Sequence, residues 1–312
     1  MLIVDEISSL VNSTFPARRS DGLVGRRLGP ADGTPGVGLS LSHISPQGVV
    51  ETPPQIAYAA NASYVKLFRG GEYLGGGKRG PISGRSAQSR RRLLDTLHSV
   101  NKDAYFAALF LTLTYPDDIE PQPEKVHRDL DCLAERLRRR FPGMSAVWSQ
   151  EPKARKSGAH VGKVYFHYHL IVFGVERVDK DWLSKVWFDV VGSGNSAHLR
   201  AGTQVQRLVS MKEGIGYVAK YLSKEQLDEL EAAGFDRTGR TWGVFGRENL
   251  PVSIVYALVT IQEFFNLRRQ LRNYVKGQAR SRGRKVRYRS DETSGVTAYV
   301  SDETALRLLL SK

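Results

Sequence analysis

Val164-Tyr165-Phe166-His167-Tyr168-His169-Leu170-Ile171-Val172-Phe173 is the stretch on which the fold turns. It is rich in β-branched and aromatic side chains and reads as a β-strand. Side chains along a strand alternate between its two faces. Val164, Phe166, Tyr168, Leu170 and Val172 therefore share one face, which is apolar and is expected to pack on helices. His167 and His169 fall together on the other, roughly 6.5–7 Å apart at the backbone. Two imidazoles at that spacing can bind one divalent ion, but two ligands make a weak site and a third is needed. An isolated H-x-H is equally a pattern of core packing or of a hydrogen-bonded surface pair.

Glu151 is the candidate third ligand. It ends the neighbouring strand Ala146 to Glu151 (A-V-W-S-Q-E), and a carboxylate raises affinity for a hard ion such as Mg²⁺ or Mn²⁺. The competing reading is a solvated carboxylate. His160, in the loop S-G-A-H-V-G, could compete as a ligand. Cys132 is the only cysteine, so a disulfide within the chain and a cysteine-based zinc site are both excluded, and a reducing cytoplasm is expected.

The elements around this strand follow from periodicity. Phe110 to Tyr115 alternates as a strand before Pro116 stops it. Val126, Leu130, Leu133, Leu137 and Phe141 recur at helical spacing, and Pro142-Gly143 ends that helix. Arg136, Arg138, Arg139 and Arg140 crowd its C-terminal end, where cations suit the helix dipole. A short helix is expected over Asp181 to Val190 and a strand over Gln204 to Val209. Ser210 and Glu213 form a capping box for a helix running to about Leu230. A strand over Val252 to Val259 follows. Thr260 and Glu263 cap a last helix with Phe264, Leu267, Leu271 and Tyr274 on one face. Strands interleave with helices without a clean βαβ alternation, so the fold class is α+β with a mostly antiparallel sheet.

The helix capped by Ser210 carries a second constellation. Ile215, Val218, Ala219 and Leu222 make a core stripe. Tyr217, Lys220, Tyr221 and Lys224 recur at the same spacing on the opposite stripe. Two phenols and two ammonium groups on one face suit phosphoryl transfer. A phenol can attack a phosphodiester, and a nearby cation stabilises the charge on the transferring group. The bland alternative is an amphipathic surface helix whose tyrosines cover apolar surface.

Charge points the same way. The chain has 312 residues and a net charge of +14, with a pI near 9.9, which implies a polyanionic partner, most simply nucleic acid. No apolar run is long enough for a spanning helix. Asp5 and Glu6 stand where a secretory leader would be basic, so neither a leader nor a membrane association is expected. Residues 20 to 90 are rich in Gly, Pro and Ser and read as short strands and loops. Ser83 to Arg92 is a basic lead-in to a short helix. Gly277 to Ser290 is basic and poor in apolar residues, and is expected to be mobile in the free protein.

Taken together and in order, these motifs resemble those of rolling-circle replication initiators of the HUH endonuclease class. The resemblance rests on Phe110 to Pro116 (F-L-T-L-T-Y-P), His167-Tyr168-His169, and Tyr217 to Lys224 (Y-V-A-K-Y-L-S-K). Arg240 to Gly246 (R-T-W-G-V-F-G) resembles a segment that follows the tyrosine motif in many phage and plasmid members. The two-tyrosine form looks like the initiators of microviruses and other single-stranded DNA phages. The likeness covers roughly residues 83 to 260, and no single motif in it is specific alone.

The resemblance implies an HUH nuclease fold, a central antiparallel sheet flanked by helices. It divides the chain into residues 1–82, a Gly/Pro-rich N-terminal region, 83–260, the endonuclease domain, and 261–312, a basic helix and tail. It implies Mg²⁺ or Mn²⁺ on His167, His169 and Glu151. It also implies a tyrosine that cuts origin single-stranded DNA, leaving a 5′-phosphotyrosyl link and a 3′-OH, and later rejoins the strand. Single-tyrosine relatives place theirs as in Tyr217-x-x-Lys220, which favours Tyr217 for initiation. Lys220 would position the nucleophile or screen charge, and Lys224, Arg90, Arg91, Arg92, Arg139, Arg140 and the tail would contact DNA.

Gly71 to Arg79 lacks the spacing of a phosphate loop, so a separate host helicase and a DNA polymerase are the expected partners, in the cytoplasm of a bacterial or phage-infected cell. Other classes remain open: a relaxase or single-strand transposase of the same chemistry, a nucleic-acid-binding protein without catalysis, and a metal-dependent hydrolase that uses water. Trp148 and Trp242 could stack bases, although core or turn packing suits both better.

Overall fold

The computed structural model describes residues 43–44, 50–51, 54–59, 61–69, 86–116, 123–154, 161–220, 240–288 and 295–310. Two compact units emerge, Gly77–Ser253 and a second made of Met1–Gly76 with Ile254–Lys312. The protein is α+β, and its sheets are antiparallel and flanked by helices.

The chain opens with β1 (His43–Ile44), β2 (Val50–Glu51), β3 (Pro54–Ala59) and β4 (Tyr64–Arg69). Helix α1 (Ala87–Ser99) starts where the Ser86 side chain accepts the Ser89 N–H, and α2 (Lys102–Phe106) where Asn101 accepts from Asp103, each satisfying a donor that the first turn leaves open. Then come β5 (Leu109–Thr114), α3 (Pro123–Arg140), β6 (Ser145–Ala154) and β7 (Val164–Phe173). Asp179 caps α4 (Lys180–Val191), which ends on Gly192 in the left-handed region. After α5 (Ser196–Ala201) come β8 (Thr203–Arg207), α6 (Met211–Lys220) and β9 (Trp242–Phe245). These strands form one five-stranded sheet in the order β8-β5-β7-β6-β9.

The alternation in β7 sorts this sheet into two faces. Phe166, Tyr168, Leu170 and Val172 join Leu109, Leu111 and Leu113 of β5 in a core covered by Val126, Leu130, Leu133 and Leu137 of α3 and by Leu183 and Trp187 of α4. Its buried polar atoms are paired, as burial demands. Tyr168 Oη donates to the Val126 carbonyl at 3.0 Å, the Trp187 indole to the Thr114 carbonyl at 2.8 Å, and Tyr115 Oη to Asp129 at 2.9 Å. Burial pushes the Tyr115 and Tyr168 phenols well above the ordinary tyrosine range. On the opposite face, Phe110, Val147, Ile171 and Phe173 meet Leu93 and Leu97 of α1, Tyr105 of α2 and Val218 of α6.

The remaining elements are β10 (Ile254–Leu258), α7 (Ile261–Arg280), β11 (Val296–Ala298) and α8 (Asp302–Leu310). They complete a four-stranded sheet in the order β10-β3-β4-β11, whose core joins Ile56, Tyr58, Val65 and Leu67 to Phe264 and Leu271 of α7. The capping box of Thr260 and Glu263 is present at the start of α7. The divisions read from the sequence at 82 and 260 do not foresee this sheet. Ile254 to Leu258 pairs along its whole length with Ala59 to Gln55, so segments from both ends of the chain share one core.

The expectation of a mobile tail from Gly277 is corrected. Helix α7 continues to Arg280, and Gly283, at φ 66°, reverses the chain. The Arg284 N–H bonds the Ala279 carbonyl at 2.8 Å and the Gly283 N–H bonds the Arg280 carbonyl at 3.0 Å, the double closure of a Schellman turn. Tyr288 then packs back on the core. The segment is ordered because one aromatic residue supplies the burial that its composition otherwise lacks.

Candidate active site

Strand register brings the candidate residues onto one face of the five-stranded sheet. Thr114, His167 and Glu151 form one row across β5, β7 and β6, and Thr112, His169 and Ser149 form the next. Phe110, Ile171 and Val147 form a third row, with Gln206 of β8 beside Phe110. The face is apolar where α1 and α6 cover it and polar at the end that carries the histidines.

His169 is only 5% exposed and Glu151 8%. Their side chains meet at 2.7 Å, Nε2 to Oε2, while Thr112 Oγ1 lies 3.2 Å from Nδ1. Both ring nitrogens of His169 are thus engaged, which fixes the ring plane. Glu151 is not the solvated carboxylate of the alternative reading. His167 is half-buried and directly opposite Glu151 in register. Among the described residues no three His, Cys, Asp or Glu side chains are gathered closely enough to hold a metal. The donor chemistry nevertheless suits a hard or borderline cation, for one imidazole nitrogen and one carboxylate oxygen already converge at about the spacing of two adjacent ligands on one ion. His160 lies outside the described residues.

Tyr217 approaches the same place from α6. Its ring stacks on Phe110, with centroids 4.7 Å apart and 21° between planes. The other side of Phe110 stacks on His169 at 5.4 Å and 11°. Three rings thus lie face to face, with the phenylalanine between the imidazole and the phenol. Gln206 Nε2 donates to Tyr217 Oη at 3.1 Å and to Glu213 Oε1 at 3.3 Å. Glu213 also accepts the Val209 N–H at 2.8 Å, and Ser210 Oγ accepts the Glu213 N–H at 3.1 Å, so the start of α6 and the phenol share one hydrogen-bonded group. Gly214 allows the close approach: a Cβ there would stand 2.9 Å from the Tyr105 ring.

These contacts correct the expected outward stripe. Tyr217 is half-buried and packs with Ile215 on the sheet-side core, because Phe110 offers its ring a stacking partner and Gln206 satisfies its hydroxyl. Phe110, Thr112 and Gln206 are the contributors that sequence reasoning missed. Phe110 and Thr112 stood inside a recognised motif, but nothing marked Gln206, a glutamine on an edge strand. Lys220 closes α6, and its side chain, like Tyr221 and Lys224, lies outside the described residues, as does Gly71 to Arg79.

The expected DNA-contacting arginines divide between the layers. Arg90, Arg91 and Arg92 lie on α1, in the helical layer over the histidine face. Arg139 and Arg140 lie on α3, which covers the other face. Arg139 is paired with Glu135 at 3.0 Å, and the Arg140 guanidinium stands 4.7 Å from the Trp182 ring. The apolar stripe of α3 shows that the helix packs but not on which face, so the grouping of these arginines with the catalytic candidates is corrected. Trp148 is buried, and Trp242 is half-buried with its indole donating to Ser89 Oγ at 2.8 Å, so both serve packing. The adjoining Gly243 lies against the Trp148 ring, where a Cβ would stand 2.8 Å away.

Residues 108–226 match the model of a replication-associated protein family, the one described under the name ORF2. The matched stretch runs from just before β5 through α6, and so holds the whole His169-Phe110-Tyr217 arrangement. Neither a curated protein nor a solved structure matches the chain. The match supports a role as a replication initiator that acts on DNA. No helix among the described residues is long and apolar enough to cross a membrane.

Proposed function

We propose that the protein initiates rolling-circle replication as an HUH-type nickase of the two-tyrosine kind, cutting single-stranded origin DNA through Tyr217. The observation that carries the reading is the stack of Tyr217 on Phe110 and of Phe110 on His169, itself bonded to Glu151. A nucleophile and a metal-ligating pair on one sheet face are what tyrosine transesterification requires.

In this reading Tyr217 Oη attacks the phosphorus of the origin phosphodiester. The Oη–P bond forms, the P–O3′ bond breaks, the phenolic proton passes to solvent or a base, and the departing 3′ oxygen takes up a proton. The products are a 5′-phosphotyrosyl ester and a free 3′-OH that can prime synthesis. The number of phosphoester bonds is conserved, so the reverse attack by a 3′-OH rejoins a strand without an energy source. Gln206 orients the phenol, and Thr112 fixes the His169 ring. Mg²⁺ or Mn²⁺ held by His169, Glu151 and His167 would neutralise charge on the transferring phosphoryl group. Lys220 screens the same charge from α6, and Tyr221, one helical turn on, serves the second cleavage that releases a unit-length circle. Unwinding and synthesis fall to a partner helicase and a DNA polymerase.

The test is a covalent adduct. The full chain is incubated with circular single-stranded DNA carrying its own origin and Mn²⁺, then run on a denaturing gel beside Tyr217→Phe, Tyr221→Phe, the double variant and His167→Ala. The expected result is an adduct that needs metal, is lost in the double variant and is ranked by the single ones. Tight binding of the origin DNA with no adduct would end the enzyme reading and leave a binding protein.

A further inference from the structure

The unit that pairs both ends of the chain carries a charge that the nicking reading does not use. Residues 261–288 hold nine Lys or Arg against one carboxylate, Glu263. On α7, Arg269, Arg272, Lys276 and Arg280 recur at i, i+3, i+7 and i+11, which places them along one side of the helix over about 16 Å. The Schellman turn at Gly283 then folds the chain back, and Tyr288 is held beneath Arg272 at 4.9 Å and Lys276 at 5.9 Å. Arg282, Arg284, Lys285 and Arg287 of the returning segment are therefore placed next to the helical stripe. All four are exposed, as are Arg269 and Arg280.

We propose that this helix and its returning segment form a binding surface for duplex DNA, distinct from the single-strand site of the Gly77–Ser253 unit. The reason for a duplex lies in what the surface lacks. Proteins that hold a single strand combine cations with exposed aromatic rings on which bases stack. Here Phe264, Phe265, Tyr274 and Tyr288 all pack against the core of their own unit, and no large apolar side chain from residues 262–288 is exposed. Cations without stacking rings read phosphates, and a row of phosphates at fixed spacing is what a duplex backbone offers. The surface positions the protein on DNA without reading bases, because its Arg and Lys side chains sit on a convex helix edge with no companion hydrogen-bonding side chains arranged for base edges.

The inference goes beyond the nicking proposal and stands without it, because binding to a duplex needs neither Tyr217 nor a metal. Its test uses the full chain, a labelled 30-base-pair duplex of arbitrary sequence and the single strand of the same length, with fluorescence anisotropy followed across a salt series. Arg282, Arg284, Lys285 and Arg287 are replaced together by Gln, and separately the three arginines by Lys as a charge-preserving control. For the Gln variant, duplex affinity is expected to fall at least about tenfold near 0.1 M salt, and the slope of log K against log salt to become shallower by about 2–4. The duplex-to-single-strand affinity ratio should fall with it, while the Lys control retains the slope. An unchanged slope and affinity in the Gln variant would overturn the proposal. So would an equal loss on both substrates, which would make the surface a single-strand tract. Tyr217→Phe run in the same assay keeps the two ideas apart, since it should leave duplex binding intact whether or not nicking is real.

Discussion

The two faces of the five-stranded sheet come from the same strands yet do different work. Beneath α3 and α4 every row is filled by large apolar side chains, and the few polar atoms there close on one another, as Tyr168 does on Val126. On the opposite face the apolar rows stop at Phe110 and Ile171, and the next rows carry Thr112, His169, Glu151 and His167. One-residue alternation thus lets a single strand anchor a core and present chemistry, with no loop needed to carry the site. It follows that substitutions on the first face should cost stability and those on the second should cost reaction.

The sharpest test of that division is His169→Ala, which removes the centre of the polar rows. Adduct formation should fall by about 10³-fold or more, with the far-ultraviolet spectrum retained. An adduct rate within tenfold of wild type would dissolve the contrast between the faces. The mirror experiment is Trp187→Ala. The fully buried indole fills the first face and donates to Thr114, so urea unfolding should show a loss of about 3–5 kcal/mol, while adduct yield per folded molecule holds. Gln206→Leu should act between these extremes. Losing the hydrogen bond to the phenol should slow adduct formation by about tenfold with single-strand affinity unchanged, and Gln206→Asn should recover less than half of that rate. If affinity falls in step with rate, Gln206 holds DNA rather than the tyrosine.

The smallest expected effect concerns pH. Burial in α1 lowers His98 from the ordinary 6.5 to about 4. Unfolding then takes up a proton between those values, so stability is fully present above about pH 6.5 and is lost as pH falls toward 4. The contribution is at most about 3 kcal/mol, and His98→Gln should flatten the dependence of the unfolding midpoint on pH within that window. A midpoint that falls equally in both proteins would place the sensitivity elsewhere.

Much of this was legible in the sequence where local pattern and tertiary demand agree. The strand Val164–Phe173 could be read to its ends because both its faces are filled according to kind, and Glu151 could be linked to the histidines because β6 and β7 are neighbours in sequence. The orientation of Tyr217 could not be read, since helical spacing separates stripes but does not reveal that Phe110, on a strand far back in the chain, will stack on one of them. Gln206 gave no signal because a glutamine on an edge strand is ordinary. The side of the sheet taken by Arg139 and Arg140 was hidden for a similar reason: the apolar stripe of α3 would fit either face. The pairing of β3 with β10 was the least legible feature, because short apolar strands carry no label for a partner nearly two hundred residues away.

That pairing has a consequence for how the chain is made. Strands β3 and β4 leave the ribosome first, but the partners that flank them, β10 and β11, and the helix that buries them, α7, are synthesised last. At common elongation rates of about 5–20 residues per second, the hairpin must wait some tens of seconds with its apolar face uncovered. The contiguous Gly77–Ser253 unit needs nothing from either end to complete its own sheet and can fold during that interval. Assembly thus runs from the middle outward, and a nascent chain arrested before Ile254 would carry a finished five-stranded sheet beside an unclosed hairpin.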